Sequence, residues 1–356
     1  MDKIARWVRP AIRQMQAYAV VDLPAGALKL DAMELPADLP PHLRPLWLQT
    51  LEKVAMNRYP AAHNAALVAN LRDVFALDPA LPVMFGNGSD EFIQIIAMTL
   101  GSADHTILAP APSFVMYRMV ADILGMNYVG VDLREDFSLD ADAMLAAITA
   151  HEPAVIFLAS PNNPTGNALV ENDVRRIIEA APGLVVLDEA YLAYSTGSLM
   201  HLASEYDNVV VMRTLSKTGF AGLRFGYLFG NPLWMAELDK VRPPYNVNVL
   251  TQASIAFALE HYAAIAAQAE EIVSERGKLE VALAQMDGVK VYPSQANFVT
   301  VRVADGKGVC ARMRDAGVWI KSLDGMHPML GDCLRLTVSN KEENAQMLEA
   351  LKEALP

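Results

Sequence analysis

The sequence predicts an α/β fold, a large domain with a mostly parallel sheet between helices plus a small α+β domain. Three observations predict it. From about residue 50, short apolar runs rich in β-branched residues alternate with helical stretches. Those runs are apolar on both faces, as strands covered on both sides must be. After them comes a long amphipathic helical run, then three further strand-like runs and a closing helix. A chain of 356 residues is long enough for two such domains.

The first 45 residues carry Pro10, Pro24, Pro36, Pro40, Pro41 and Pro45, which break any long element. They read as an arm of short pieces packed on something else. Segments 64–75 and 91–100 have helical periodicity. Strand-like runs follow at 106–109, 128–131, 154–159, 184–187, 209–213 and 226–229, with helices over 113–124, 141–149 and 171–180 between several of them. Segment 252–286 reads as one or two long helices. Runs 289–292, 298–303 and 333–338 read as small-domain strands, closed by a helix over 341–354. The resulting division is an arm (1–30), a large domain (51–249) and a small domain (31–50 with 250–356). No repeat period or low-complexity tract interrupts it.

Charge and composition exclude several function classes. With 29 basic and 41 acidic residues the net charge is −12, unfavourable for a general binder of nucleic acid or anionic membrane. An anionic small substrate stays possible, because a few local Arg and Lys override the global sign. Two cysteines, Cys310 and Cys333, make neither a disulfide framework nor a Cys-rich metal site and read as small buried residues. The seven histidines show no metal-ligand spacing, so no metal is expected. No run approaches the ~20 apolar residues of a membrane span, and the start lacks a signal-peptide core. The expected location is cytoplasmic.

In open α/β sheets ligands sit beyond the carboxyl ends of the strands. Run 154–159 leads into Ser160-Pro161-Asn162-Asn163-Pro164-Thr165-Gly166. Run 184–187 leads into Asp188-Glu189-Ala190-Tyr191, and run 209–213 into Thr214-Leu215-Ser216-Lys217. Taken alone, these are a turn, a helix cap and a surface Ser-Lys. Together, spaced by about one βαβ unit each, they bring an amide, a carboxylate and an amine to one crevice. Pyridoxal phosphate needs that set: a Lys for the Schiff base and an acid for the pyridinium nitrogen. An amide and a phenol suit the ring oxygen, and Tyr191 is placed to supply the phenol. Gly86-Asn87-Gly88-Ser89-Asp90-Glu91 opens a helix and offers backbone N–H groups to the phosphate. Arg224 can add a charge-assisted contact to it.

The set S-P-N-N-P-T-G (160–166), D-E-A-Y (188–191), T-L-S-K (214–217) and A-G-L-R-F-G (221–226) resembles fold-type I pyridoxal-phosphate-dependent aminotransferases. Within that family it is similar to the histidinol-phosphate aminotransferase branch, through Val8-Arg9-Pro10 to Tyr18, Lys29–Glu34, Arg58-Tyr59-Pro60, Pro112–Tyr117 and Cys333–Val338. The resemblance implies that Lys217 is the Schiff-base lysine and that Asp188 pairs with the ring nitrogen. Asn163 and Tyr191 would face the ring oxygen, and Phe114 would stack on the ring. Ser89, Asp90, Glu91, Thr214, Ser216 and Arg224 would surround the phosphate. It also implies a homodimer with shared sites, Tyr59 reaching the phosphate from the partner subunit. Arg335 would grip the acidic group of the substrate, with Tyr18 and Lys321 nearby.

The implied activity is ping-pong transamination of L-histidinol phosphate with 2-oxoglutarate in histidine biosynthesis. An aromatic amino acid aminotransferase and an O-phosphothreonine decarboxylase use the same cofactor set. A non-catalytic pyridoxal-phosphate-binding protein is the alternative from another class. Four departures from the family pattern bear on substrate choice in this reading. They are Leu35 after Glu34, Ser339-Asn340 after Val338, Lys321 in place of Arg, and a Lys217-to-Arg224 spacing one residue short. His327 lies near Lys321 and Arg335 in sequence and is read as edging the pocket.

Overall fold

Thirteen strands are present among the described residues of the computed structural model, which are 3–17 and 23–356. They are β1 (Leu28–Lys29), β2 (Val83–Asn87), β3 (Thr106–Ala111), β4 (Asn127–Asp132), β5 (Val155–Ala159), β6 (Leu184–Asp188) and β7 (Val209–Thr214). Then come β8 (Phe225–Gly230), β9 (Lys290–Tyr292), β10 (Phe298–Arg302), β11 (Val318–Trp319), β12 (Lys321–Ser322) and β13 (Cys333–Thr337). The large sheet has the order β2-β8-β7-β6-β5-β3-β4. All its neighbours are parallel except β8, which runs antiparallel to both β2 and β7. Antiparallel neighbours need no crossover helix. The chain therefore turns straight back after β7, and the returning loop carries Lys217 and Arg224.

The central strands are apolar throughout because both faces are covered. Val155, Phe157, Leu184, Val186, Val210 and Met212 point to one face, against Phe92, Ile96, Tyr117 and Val120. Those four belong to helices Ser89–Leu100 and Met116–Leu124. Ile156, Leu158, Val185, Leu187 and Val211 point to the other, against Leu71, Ile148, Val174 and Ile177. The period-two alternation is intact, but it alternates between two cores rather than between core and solvent.

A second sheet, order β12-β13-β10-β9, is antiparallel throughout. Val299, Val301, Leu334 and Leu336 pack on its covered face. Ile272, Leu279 and Leu283 of helix Tyr262–Ala284, and Met347 and Leu351 of helix Lys341–Ala354, lie against them. β1 pairs in parallel with β11, which anchors the arm-side segment to this unit and places Leu30 in its core. Ile255 and Leu259 of helix Val249–Glu260, by contrast, join the core of the large sheet.

Of the one or two helices read over segment 252–286, the structure has two, broken at His261 (φ −111°, ψ 22°). The two-residue strands β1, β11 and β12 are too short to carry a pattern. β2 has no counterpart among the strand-like runs of the sequence, and its Gly86 pairs in register with Gly226. A Cβ on Gly226 would stand 2.7 Å from the Gly88 carbonyl carbon and 2.8 Å from the Ser89 nitrogen. Glycine is required there so that two backbones can meet.

The closing helix also accounts for one departure from the family pattern. The Asn340 side chain caps it by accepting from the Glu343 N–H at 2.9 Å. That residue serves helix initiation. Asn340→Ala should lower stability by about 1 kcal/mol. Leu158→Ala, which empties a fully buried position in β5, should cost about 2–5 kcal/mol. Urea unfolding of both variants checks the two figures, and equal losses would contradict the packing described.

Candidate active site

β5, β6 and β7 run side by side in the same direction, so their carboxyl ends open onto one crevice. The bond from Ser160 N–H to Asp188 C=O (2.9 Å) and that from Glu189 N–H to Met212 C=O (2.9 Å) lock the strand ends in register. Ser89, Asp90, Phe114, Asn163, Asp188, Tyr191, Thr214, Ser216, Lys217 and Arg224 line a single cavity there.

Asp188 ends β6 and is buried. Its Oδ2 accepts from the Tyr117 hydroxyl at 2.6 Å and its Oδ1 from the Ala190 N–H at 3.0 Å. Burial outweighs these donors and pushes the carboxyl up to about 6. The neighbouring Glu189 points the other way. It pairs with Arg213 (2.8 Å) and accepts from Ser198 and the Leu199 N–H, which clamps the strand end from below.

Lys217 lies in the turn Ser216–Phe220, where Gly219 takes φ +94°. Its Nζ donates to the Ala32 carbonyl at 3.2 Å and stands 5.6 Å from the centre of the Tyr191 ring. Burial first, and the charge of Arg335 second, pull the amine down to about 8. On one side, Asn163 Nδ2 donates to the Tyr191 oxygen at 3.0 Å. Arg335 Nη1 in turn donates to Asn163 Oδ1 at 2.6 Å.

The far end of the cavity is built for an anion. Gly88 (φ +74°) opens the helix Ser89–Leu100, whose first N–H groups lie beside the hydroxyls of Thr214 and Ser216. Arg224, held at φ +49°, donates from Nη1 to Ser216 Oγ (3.1 Å) and from Nη2 to Asp90 Oδ2 (3.3 Å).

Other sequence-predicted residues lie elsewhere. The Glu91 carboxylate turns back from the cavity and accepts from the Asn87 N–H (2.7 Å) and Asn246 Nδ2 (2.6 Å). It bolts the loop rather than holding a ligand with its side chain. Arg335 reaches the cavity through Asn163, and its Nη2 donates to the Asp31 carbonyl at 2.8 Å. Lys321 sits opposite Arg335 in the β12–β13 ladder, so the two side chains share a face. Tyr59 is 82% exposed and stacks on Tyr245 (4.7 Å, 17°), away from this cavity. Tyr18 lies outside the described residues. His327 faces Asp132 at 3.3 Å and lines a neighbouring cleft that Phe114 also borders. Leu35 packs against the second core.

The sequence reading gave no role to Tyr117, Ala190 or Met33. Tyr117 had a signal, since it stands three residues after Phe114 on one helical stretch and so on the same side. Ala190 and Met33 wall the cavity with carbon and sulfur and carry no chemical signature.

The donor set fits a planar ligand with a phosphate at one end, an oxygen substituent beside Asn163 and Tyr191, and a protonatable ring nitrogen at Asp188. The buried amine of weakened basicity is suited to attack a carbonyl.

The model for the family "aminotransferase class I and II" matches residues 19–351. Histidinol-phosphate aminotransferase 1 of Ralstonia nicotianae is 49% identical over 359 residues, 99% of this chain and 96% of that protein. Histidinol-phosphate aminotransferase of Chromobacterium violaceum is 49% identical, with 98% of each chain covered. Among solved structures, the histidinol-phosphate aminotransferase of Sinorhizobium meliloti in complex with pyridoxal-5'-phosphate superposes with a TM-score of 0.85 at 23% identity. It covers 97% of this chain and 96% of that one. The enzyme of that name from Clostridium acetobutylicum gives 0.84 at 20% identity, covering 92% and 98%. These two likenesses establish the fold as fold-type I.

The raised Asp188 pKa has a consequence for stability. The group titrates near 3.8 when unfolded and about 6 when folded, so its contribution is lost as pH rises through that window. Asp188→Asn should therefore raise the Tm of the ligand-free protein at pH 8, and the gain should vanish towards pH 4. An equal gain at both pH values would mean that packing, not charge, is responsible.

Proposed function

The chain belongs to the aminotransferase class I and II family, and from this premise we propose that it transfers the amino group of L-histidinol phosphate to 2-oxoglutarate in histidine biosynthesis. It is a pyridoxal-phosphate-dependent transferase. The observation that carries the reading is the half-buried Lys217, its amine lowered in basicity, sharing one cavity with the buried carboxylate of Asp188. Near-full-length identity to proteins named for this substrate supports the choice of donor.

Pyridoxal phosphate, when bound, supplies an aldehyde that condenses with amines and a ring that withdraws electrons from the carbon bearing the nitrogen. The residues do the rest. Ser89, Thr214, Ser216, Arg224 and the N–H groups around Asp90 hold the phosphate. Asp188 keeps the ring nitrogen charged, Phe114 covers the ring, and Asn163 and Tyr191 hold the ring oxygen. Lys217 would be the residue that bonds to the aldehyde of the group when it is bound. Its free amine, with a pKa of about 8, then both takes and returns a proton near neutral pH. Arg335, joined by Lys321, grips the phosphate of the donor in one half-reaction and the carboxylate of the acceptor in the other. A guanidinium fork accommodates both oxyanions.

The exposed Tyr59 suits a homodimer in which each copy completes the phosphate site of the other. Glu91 acts on that site through its loop. Tyr18 is assigned to the substrate side by resemblance alone. A two-domain division, with helix Val249–Glu260 packing in the large domain rather than the small one, and a cytoplasmic location complete the reading. Among the described residues no helix is long and apolar enough to cross a membrane.

Mixing purified holoenzyme with L-histidinol phosphate should convert the cofactor absorbance to its pyridoxamine form in a single turnover, reversed by 2-oxoglutarate. L-phenylalanine should react more slowly and O-phosphothreonine should release no carbon dioxide. Preference for phenylalanine would keep the chemistry and move the substrate, and carbon dioxide release would replace the reaction. Lys217→Ala should abolish turnover. Arg335→Ala should weaken both half-reactions by about 1.5–3 kcal/mol, the worth of a hydrogen bond to a charged group. A loss confined to one half-reaction would refute the shared anchor.

A further inference from the structure

Tyr117 joins the aromatic wall of the site to its carboxylate. The residue is fully buried in helix Met116–Leu124. Its ring lies nearly parallel to Phe157 of β5 (4.5 Å, 10°) and meets Phe114 edge-on (5.8 Å, 86°). Those contacts leave its hydroxyl one direction, onto Asp188 Oδ2 at 2.6 Å. With the Ala190 N–H on Oδ1, the carboxylate is fixed at both oxygens, and each oxygen keeps a lone pair for a further donor.

We propose that Tyr117 is a positioning residue: its hydroxyl aims the Asp188 carboxylate at the ring nitrogen of pyridoxal phosphate and keeps the proton of that pair on the ring. The inference rests on Asp188 being the acidic partner of the cofactor. A buried carboxylate and a ring nitrogen share one proton, which resides on nitrogen in the charged pair or on oxygen in the neutral pair. Burial favours the neutral pair. A phenol donating to the carboxylate favours the charged one, in which the ring draws electrons. Burial and the charge of Asp188 hold the Tyr117 phenol far above its usual pKa, so it remains a donor at any working pH. Only the proton between oxygen and nitrogen moves, and no other bond changes.

Tyr117→Phe keeps the stack, the edge contact and the volume, and removes the donor alone. In protein reconstituted with ring-¹⁵N pyridoxal phosphate, the nitrogen resonance should move from the pyridinium towards the neutral position. Titration of the apoprotein should show cofactor affinity falling about tenfold, as for the loss of one charge-assisted hydrogen bond. In an Asp188→Asn background the same change should add nothing. Incorporating 3-fluorotyrosine at position 117 makes the phenol a stronger donor and should push the resonance the opposite way. A merely structural role cannot produce that reversal, and the experiment stands even where Tyr117→Phe fails to fold. An unmoved resonance in both variants overturns the proposal. If Asp188→Asn itself leaves resonance and affinity unchanged, the assignment of Asp188 falls, and the proposal with it.

Discussion

A carboxylate and an amine are taken out of water in one cavity, and much of the architecture answers the cost of doing so. Burial raises the pKa of Asp188 and lowers that of Lys217, so each is disfavoured in its charged form. Such a site persists only where the surroundings over-determine it. Two cores sandwich the strands that carry these groups, and the strand ends are locked by backbone bonds. Beneath Asp188, the buried Glu189–Arg213 pair is satisfied by Ser198 and a backbone N–H, so it adds rigidity without leaving an orphan charge.

The anion end obeys a different constraint, that of close backbone approach. Gly226 and Gly86 face each other across β8 and β2, which lets the start of helix Ser89–Leu100 sit against the end of β7. Two acids, Asp90 and Glu91, stand in the first turn of a helix proposed to hold a phosphate. The structure separates their work. Asp90 faces Arg224, whereas Glu91 turns away and stitches Asn87 to Asn246. Negative charge at this helix start is thus opposed by Arg224 on one side and spent on hydrogen bonds on the other.

The large domain was legible in the sequence where chemistry and periodicity coincide. Runs such as 154–159 and 184–187 are apolar on both faces, turn residues follow them, and the reactive side chains come immediately after. That logic points to Asn163, Asp188 and Lys217, which the structure brings to one cavity. It failed where backbone geometry decides. β2 ends in Gly86-Asn87, residues typical of turns, although Gly86 pairs in the ladder with Gly226. Glu91 was grouped with the phosphate by position, but its rotamer is set by Asn246, a residue distant in sequence. Tyr117 and Ala190 shape the cavity through packing, which one chain of letters does not encode.

The antiparallel return of β8 restricts how this chain can evolve. In the ladder Thr214 stands opposite Gly226, and Arg213 opposite Tyr227. Both ends of the connecting loop are therefore pinned, and Lys217 and Arg224 lie between the pins. Loops at the edges of parallel sheets accept insertions readily, since a crossover helix takes up the slack. This one has no such reserve. A deleted or added residue between Lys217 and Arg224 must be absorbed by the loop itself, through the left-handed conformations at Gly219 and Arg224. The segment thus acts as a ruler between amine and guanidinium, and the one-residue shortening of this chain is taken up inside the loop while both of its ends stay in register.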